Sequence, residues 1–286
     1  MFSYQHVYHV GNHADVLKHI VLVQLLSALR RKEKPFFVLD THAGEGIYAL
    51  DDARAKRLGE FREGVARLWG TSGLHPAIDE WLGQVKVENP TGELQRYPGS
   101  PRLIARQLRP QDKFIAVEGH PEAFAGLRRA LQPYAGAYAE QGDAWRSIKA
   151  YLPPDAGRGL ILIDPSYETR AETAAIERAL KLINKRFRQG IVAVWYPLLP
   201  HKPLTRWLEA LAAAGIADIL LAELRVSETK KTRGLYGSGM LVVNPPWGLA
   251  QALSECLPFV HSRLSAGGHG GCCVRTLVDE RGRAPE

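Results

Sequence analysis

The side chains equipped for chemistry cluster just after short apolar runs. Asp40-Thr41-His42-Ala43-Gly44-Glu45-Gly46 follows Phe36 to Leu39. A Gly-x-Gly turn lets backbone approach a ligand closely, where a side chain would clash. The motif lacks the third glycine of a dinucleotide fingerprint, and Asp40 beside it would repel a pyrophosphate. A ligand carrying sulfonium and ammonium groups, S-adenosylmethionine, fits better. Glu118 ends the run from Phe114 to Val117, where a carboxylate can accept hydrogen bonds from both ribose hydroxyls. Gly142-Asp143 follows a third run, Ala137 to Glu140, and offers an acceptor for an adenine amino group. Each acid alone has the plain reading of a solvated strand end. Three in this order favour the cofactor.

These residues need a scaffold that brings strand ends together. Phe36 to Asp40, Phe114 to Glu118, Leu160 to Asp164 and Ile191 to Trp195 read as strands buried on both faces, as in a parallel sheet. Ligands bind at the carboxyl ends of such strands. Helical patterns over Ala14 to Arg31, Pro101 to Leu108, Glu122 to Leu131, Ala171 to Arg188 and Pro203 to Ala214 alternate with them, which predicts an α/β fold. Asp218 to Arg225 and Gly239 to Asn244 read as two strands joined by a polar loop. Asp40 and Glu118 lie 78 residues apart, where a strand-helix-strand unit needs about 20. Residues 47–99 are therefore expected to be an inserted helical subdomain, with 1–46 and 100–286 forming the core. The Gly-rich stretch from Ala266 to Gly271 is expected to precede a loose C-terminus.

Asp164-Pro165-Ser166-Tyr167 is the most specific segment. It resembles the Asp/Asn-Pro-Pro-aromatic motif of amino methyltransferases that act on adenine N6. An exocyclic amine is a poor nucleophile because its lone pair is delocalised into the ring. The Asp164 carboxylate and the Pro165 carbonyl can each accept one N–H, freeing that lone pair for a methyl group. Tyr167 offers a ring face to a base taken out of its stack. Ser166 departs from the usual second proline, so a less rigid loop is expected. Asn244-Pro245-Pro246-Trp247 matches the same pattern, but Asp164 lies 21 residues after Asp143 and Asn244 lies 101 after it. The run before Asn244 reads as a final antiparallel strand whose end points away from the site.

The first 19 residues hold His6, His9, His13 and His19. They lack cysteine partners and any familiar ligand spacing, so no metal is expected, and the readings left are a polar lead-in to a capped helix or a role at the active site. Lys and Arg number 37 against 30 Asp and Glu, giving +7 and a pI near 9.3, which favours a polyanionic partner, most often nucleic acid. Residues 47–99 hold 7 basic and 8 acidic residues, so the basic surface is expected on the core. Lys230, Lys231 and Arg233 in the polar loop are expected to meet RNA phosphates, with a merely solvated loop as the bland reading. Three cysteines fit a reducing cytoplasm, no apolar run approaches the roughly 18 residues of a membrane span, and the first ten residues do not read as a signal peptide.

Beyond these local readings, Ser3-Tyr4-Gln5-His6, Gly11 to His19, Leu39 to Gly44, Tyr97-Pro98-Gly99-Ser100-Pro101, Leu160 to Pro165 and Ser238-Gly239-Met240 resemble the bacterial ribosomal RNA large subunit methyltransferases of the J type. The likeness spans nearly the whole chain. It implies a class I, Rossmann-like S-adenosylmethionine-dependent methyltransferase with a seven-stranded, mostly parallel sheet and an inserted helical subdomain. The implied activity is methylation of one adenine N6 in 23S rRNA, as naked RNA or an early precursor, by a cytoplasmic protein expected to be a monomer. The resemblance carries cofactor contacts onto His19, His42, Ser100, Glu118, Asp143, Ala144 and Asp164. Gly44 and Lys18 join this set by position. It makes Asp164 the catalytic acceptor and gives Tyr4 a substrate contact, with His6 and Lys18 beside them. Ala144 replaces a glycine common in the family, at a position where the backbone makes the contact. Two other readings stand: a DNA adenine-N6 methyltransferase, and a non-catalytic RNA-binding protein on the same fold.

Overall fold

A computed structural model describes residues 5–169, 171–201, 204–228 and 234–284. The chain runs α1 (His13–Arg30), β1 (Phe37–Asp40), β2 (Ile47–Ala49), α2 (Ala53–Leu58), α3 (Pro76–Val87), β3 (Arg96–Pro98), α4 (Ser100–Ala105), β4 (Lys113–Glu118) and α5 (Pro121–Leu131). It continues through β5 (Ala137–Gln141), α6 (Ala144–Tyr151), β6 (Gly159–Ile163), α7 (Ala171–Arg186), β7 (Ile191–Leu198), α8 (Thr205–Ala212), β8 (Ile219–Arg225), β9 (Gly237–Val243), α9 (Leu249–Leu264) and β10 (Gly271–Val278). No described helix is long and apolar enough to cross a membrane.

Eight strands form one sheet in the order β10-β8-β9-β7-β6-β1-β4-β5, and β2 pairs with β3 apart from it. The five strands from β7 to β5 are parallel to one another, while β9 runs antiparallel to β7 and β8 and β10 antiparallel to β8. The sheet thus has eight strands where seven were expected. The extra one, β10, also corrects the expectation of a loose C-terminus. Its Val274, Leu277 and Val278 pack into the two cores, and its inner side is laddered to β8 from Gly271 to Val278.

The strands are apolar throughout because helices cover both faces. Alternate side chains divide between two clusters: Val38, Phe114 and Leu162 on the face of α1 and α9, and Leu39, Ile115 and Ile161 on the face of α7 and α8. α1 shows weak amphipathicity because it is enclosed on nearly every side, by the sheet, α3, α4 and α9. Its far end is closed by arginines: Arg158 donates to Leu29 O at 2.7 Å, and Arg109 to Lys32 O and Lys34 O.

Residues 47–99 leave and rejoin the core through the paired β2 and β3. Trp81, Ile78 and Val85 of α3 belong to the same apolar cluster as α1, so the insertion shares the main core. It also grips the N-terminal segment. Val65 N donates to Gly11 O at 2.9 Å, and a Cβ on Gly64 would stand 2.0 Å from that oxygen. Gly64→Ala is therefore expected to cost on the order of 1–3 kcal/mol, lowering Tm by several degrees. Gly83→Ala, in α3 where an added Cβ meets nothing within 4 Å, is expected to be neutral or stabilising. Equal melting temperatures for Gly64→Ala and wild type would refute that tight approach.

Candidate active site

The register fixes where the acids stand. Asp40 lies level with Ala116 of β4 and Leu162 of β6, so Glu118 and Asp164 both project two residues beyond it. The chain order reverses at β1: it proceeds to β4 and β5 on one side, then crosses to β6 on the other. This is where open parallel sheets form a ligand crevice. A cavity of about 940 Å³ occupies the crevice, and Lys18, His19, His42, Gly44, Ser100, Glu118, Asp143, Ala144, Asp164, Pro165 and Tyr167 all line it.

The floor is a charge network between α1 and the loop after β6. Asn12 caps α1, its Oδ1 accepting from Ala14 N and Asp15 N at 2.9 and 3.0 Å. The helix then presents Asp15, Lys18 and His19 on one face, three and four residues apart. Lys18 Nζ donates to Asp164 Oδ2 at 2.7 Å and lies 2.9 Å from Asp15 Oδ1. Asp15 Oδ2 accepts from Gly11 N at 2.8 Å and meets His6 Nε2 at 2.9 Å. Burial opposes the charge on both partners. For Asp15, His6 and Lys18 outweigh it and hold the carboxyl well below the usual range. For Lys18, Asp15 and Asp164 outweigh it and hold the ammonium well above.

The wall beyond is the loop after β1. Gly44, at φ 66°, turns its N–H onto Glu118 Oε2 at 2.8 Å, while Glu118 Oε1 accepts from His120 N at 2.7 Å. Glu118 is thereby held at the cavity with oxygen lone pairs to spare. Asp143 Oδ1 caps α6 by accepting from Arg146 N at 2.8 Å. Asp40 has a different part from the cationic-ligand contact read from the sequence. It is fully buried, does not line the cavity, and accepts from Ser100 Oγ at 2.7 Å and His42 N at 3.3 Å. It orders the loop from behind, because its side chain points into the sheet's core where the loop turns away.

His19 is fully buried; its Nδ1 shares a hydrogen bond with Tyr97 Oη at 2.8 Å, and its Nε2, 4.0 Å from Asp15 Oδ1, has no hydrogen-bond partner. Burial lowers its pKa to about 3, so the ring is neutral. When Tyr97 donates to Nδ1, Nε2 carries the proton and can donate to an anionic ligand group. Burial also lowers His13 and His42 to about 4. An unfolded chain binds protons on these rings from about pH 6.5 downward, which the folded protein resists. Stability is then lost on acidification from pH 6.5 toward 4, by up to about 1.4 kcal/mol per unit per ring. His13 and His42 keep a partly open edge and contribute less than that. Asp40, pushed up to about 7 by burial, and His9, raised by its hydrogen bond to Glu60, act in the opposite sense and are outweighed by the three lowered rings. Tm is expected to fall between pH 7 and 5, and a Tm that rose on acidification would contradict these assignments.

Tyr167 forms part of the cavity wall and not an open stacking shelf. The ring is 6% exposed, its edge meets Trp195, and its hydroxyl donates to Trp195 O at 2.8 Å. Its φ of 55° turns the chain after Pro165. Ser166 Oγ approaches Glu172 of α7 at 3.4 Å, a tether in place of a second proline ring. Asn244 stands at the far end of β9, where its side chain donates to Arg188 O and Gly190 O, so the second Asn-Pro-Pro motif lies at the opposite end of the strands, where β7 begins. Tyr4, Lys230, Lys231 and Arg233 lie outside the described residues. Sequence reasoning missed Asp15, Trp145 and Trp195 on the wall. For Asp15 a signal existed, the i,i+3 spacing to Lys18; the tryptophans gave none.

The arrangement offers acceptors for an amine at Asp164 and Pro165, and for hydroxyls at Glu118, within one crevice. Similar proteins share the whole chain. "Ribosomal RNA large subunit methyltransferase J" of Escherichia coli (strain K12) is 42% identical over 280 residues, 98% of this chain and 100% of that protein. The protein of the same name from Haemophilus influenzae is 40% identical over 281 residues, again 98% and 100%. A crystal structure of protein LPL1258 from Legionella pneumophila superposes with a TM-score of 0.87 at 32% identity, covering 94% of this chain and 98% of that one. The family model described as ribosomal RNA large subunit methyltransferase D, RlmJ matches residues 33–278, and with identity sustained from end to end the chain belongs to that family.

Proposed function

We propose that this protein methylates ribosomal RNA, and that its target is the exocyclic N6 of one adenine in 23S rRNA, with S-adenosylmethionine as methyl donor. The observation that carries the reading is that Asp164 and Pro165 share a single crevice with Glu118. An amine-acceptor loop and a ribose acceptor then face one space. The names of the relatives support an rRNA substrate.

The residues present suit the donor. Glu118 would take the ribose hydroxyls, and Asp143 with the backbone at Ala144 the adenine. The unpartnered Nε2 of His19 would meet the carboxylate, beside the Gly44 turn, with Lys18, His42 and Ser100 completing the wall. When bound, S-adenosylmethionine supplies a methyl group on a sulfonium that departs as a neutral thioether. The protein's own work is to hold the amine. Asp164 and the Pro165 carbonyl each accept an N–H, and transfer is direct and in line. Lys18 fixes the Asp164 carboxylate through their 2.7 Å ion pair, so its oxygens are oriented before transfer. The methylated nitrogen is then cationic and strongly acidic, and Asp164 is placed to take its proton. Tyr167 packs beside the target base, and Tyr4 and His6 contact the RNA.

The test uses purified protein, tritium-labelled donor and 23S rRNA from a strain lacking the modification. Label recovered as N6-methyladenosine is expected. Label only in duplex DNA would favour a DNA enzyme, and intact RNA binding without cofactor binding in calorimetry would favour a non-catalytic protein.

A further inference from the structure

The insertion is slightly acidic as a whole, yet its charges are sorted. Residues 54–67 carry Arg54, Lys56, Arg57, Arg62 and Arg67 against two glutamates, while residues 47–53 carry Asp51 and Asp52 alone and residues 68–99 carry Lys86 and Arg96 against four acids. The basic half borders the crevice: Arg54, Leu58 and Gly59 line the cavity, and α2 packs on the turn at His6–Tyr8. Its two acids are used internally. Glu60 accepts from Asn12 Nδ2 and meets His9 Nδ1, both at 2.9 Å, and Glu63 pairs with Arg67. Among the described residues no carboxylate pairs with Lys56, Arg57 or Arg62, and all three are exposed. The Arg57 guanidinium lies 5.9 Å above the Tyr8 ring and that of Arg62 lies 5.4 Å above Phe61. Stacking on a ring limits the rotamers of a long side chain, so less freedom is lost when a partner binds.

The crevice itself is a poor place for phosphate. Ten carboxylates line it among the described residues, against Lys18 and Arg54. A base can enter, but the sugar-phosphate chain that carries it is repelled and must be held at the rim. Lys56, Arg57 and Arg62 belong to the segment whose Arg54, Leu58, Gly59, Glu60 and Glu63 line the crevice, and all three reach solvent.

We propose that Lys56, Arg57 and Arg62 form the surface on which the RNA strand flanking the target nucleotide docks through its phosphates. The proposal rests on the reading of the protein as an rRNA methyltransferase and adds where the backbone lies. It adds a basic surface on the insertion to the one expected on the core. Net charge averaged over residues 47–99 hides a basic stretch at 54–67 between two acidic ones.

The test is filter binding of protein-free 23S rRNA across 50–200 mM salt, with the triple variant K56Q/R57Q/R62Q. Affinity at low salt is expected to fall at least tenfold. The slope of log affinity against log salt should flatten by about 2–3, near 0.7–0.9 for each phosphate that is no longer neutralised. An unchanged Tm shows that the fold is intact. The pair K185Q/R188Q, at the opposite end of the strands, should change affinity less than twofold. Wild-type affinity and slope in the triple variant, or an equal weakening in the control pair, would overturn the surface. Wild-type protein that binds rRNA without methylating it would remove the enzymatic reading and leave this surface standing. Protein that binds no rRNA removes both.

Discussion

Asp164→Ala is expected to lower the single-turnover rate of methyl transfer by about 10³-fold, roughly 4 kcal/mol, while donor affinity changes less than about tenfold. The asymmetry follows from where the contact matters. An N–H···O bond from the amine strengthens as positive charge develops on nitrogen, so its loss falls mainly on the transition state. The fold should survive the change. Lys18 keeps Asp15 at 2.9 Å, and Asp164 sits at the cavity edge with 15% of its side chain exposed. Rapid-quench measurement of methyl transfer, paired with calorimetry of the donor, separates the two effects. A variant turning over within tenfold of wild type would place the amine acceptor elsewhere.

Lys18→Met is expected to cost about 3–5 kcal/mol of stability, because it strands two carboxylates that share one cation. Asp15 is the more exposed to this loss in energetic terms, since only 1% of its side chain reaches solvent. It keeps Gly11 N and His6 as partners, which places the expected cost toward the lower end. Two features identify the mechanism. The deficit should shrink as pH is lowered from 7 to 5, as the buried Asp15, stripped of its ammonium partner, takes up a proton that neutralises it. It should also shrink in the Asp164→Ala background, where one of the two acids is gone. Urea unfolding of the four proteins in this cycle reads both. Strictly additive costs would mean that Lys18 and Asp164 do not support each other, whatever their separation of 2.7 Å.

Much of the frame is local and was therefore legible. Continuous apolar runs announced β1, β4, β6 and β7, because a strand buried on both faces needs apolar residues at every position. The acids at their ends indicated the crevice, and antiparallel β9 was enough to set Asn244 apart from Asp164. Elements with weaker local marks escaped. β10 begins in glycine and carries Arg275 and Thr276, and α9 contains Pro258, so neither reads cleanly by period. The insertion was visible only as a spacing of 78 residues; nothing in it showed that α3 would complete the core around α1.

Within the site, the sequence by itself determined which residue types stand at the strand ends, since strand length and parallel order put Glu118 and Asp164 at one level. Tertiary structure alone decided their partners. Lys18 is 146 residues from Asp164, Asn12 is 48 from Glu60 and Ser100 is 60 from Asp40. It turned Asp40 inward to order a loop, made Tyr167 a wall, and brought Arg54 of the insertion to the cavity. Periodicity records what each segment buries against its neighbours in the chain. A charge network instead depends on distances across the fold, where burial strengthens the attraction and penalises any unmatched charge.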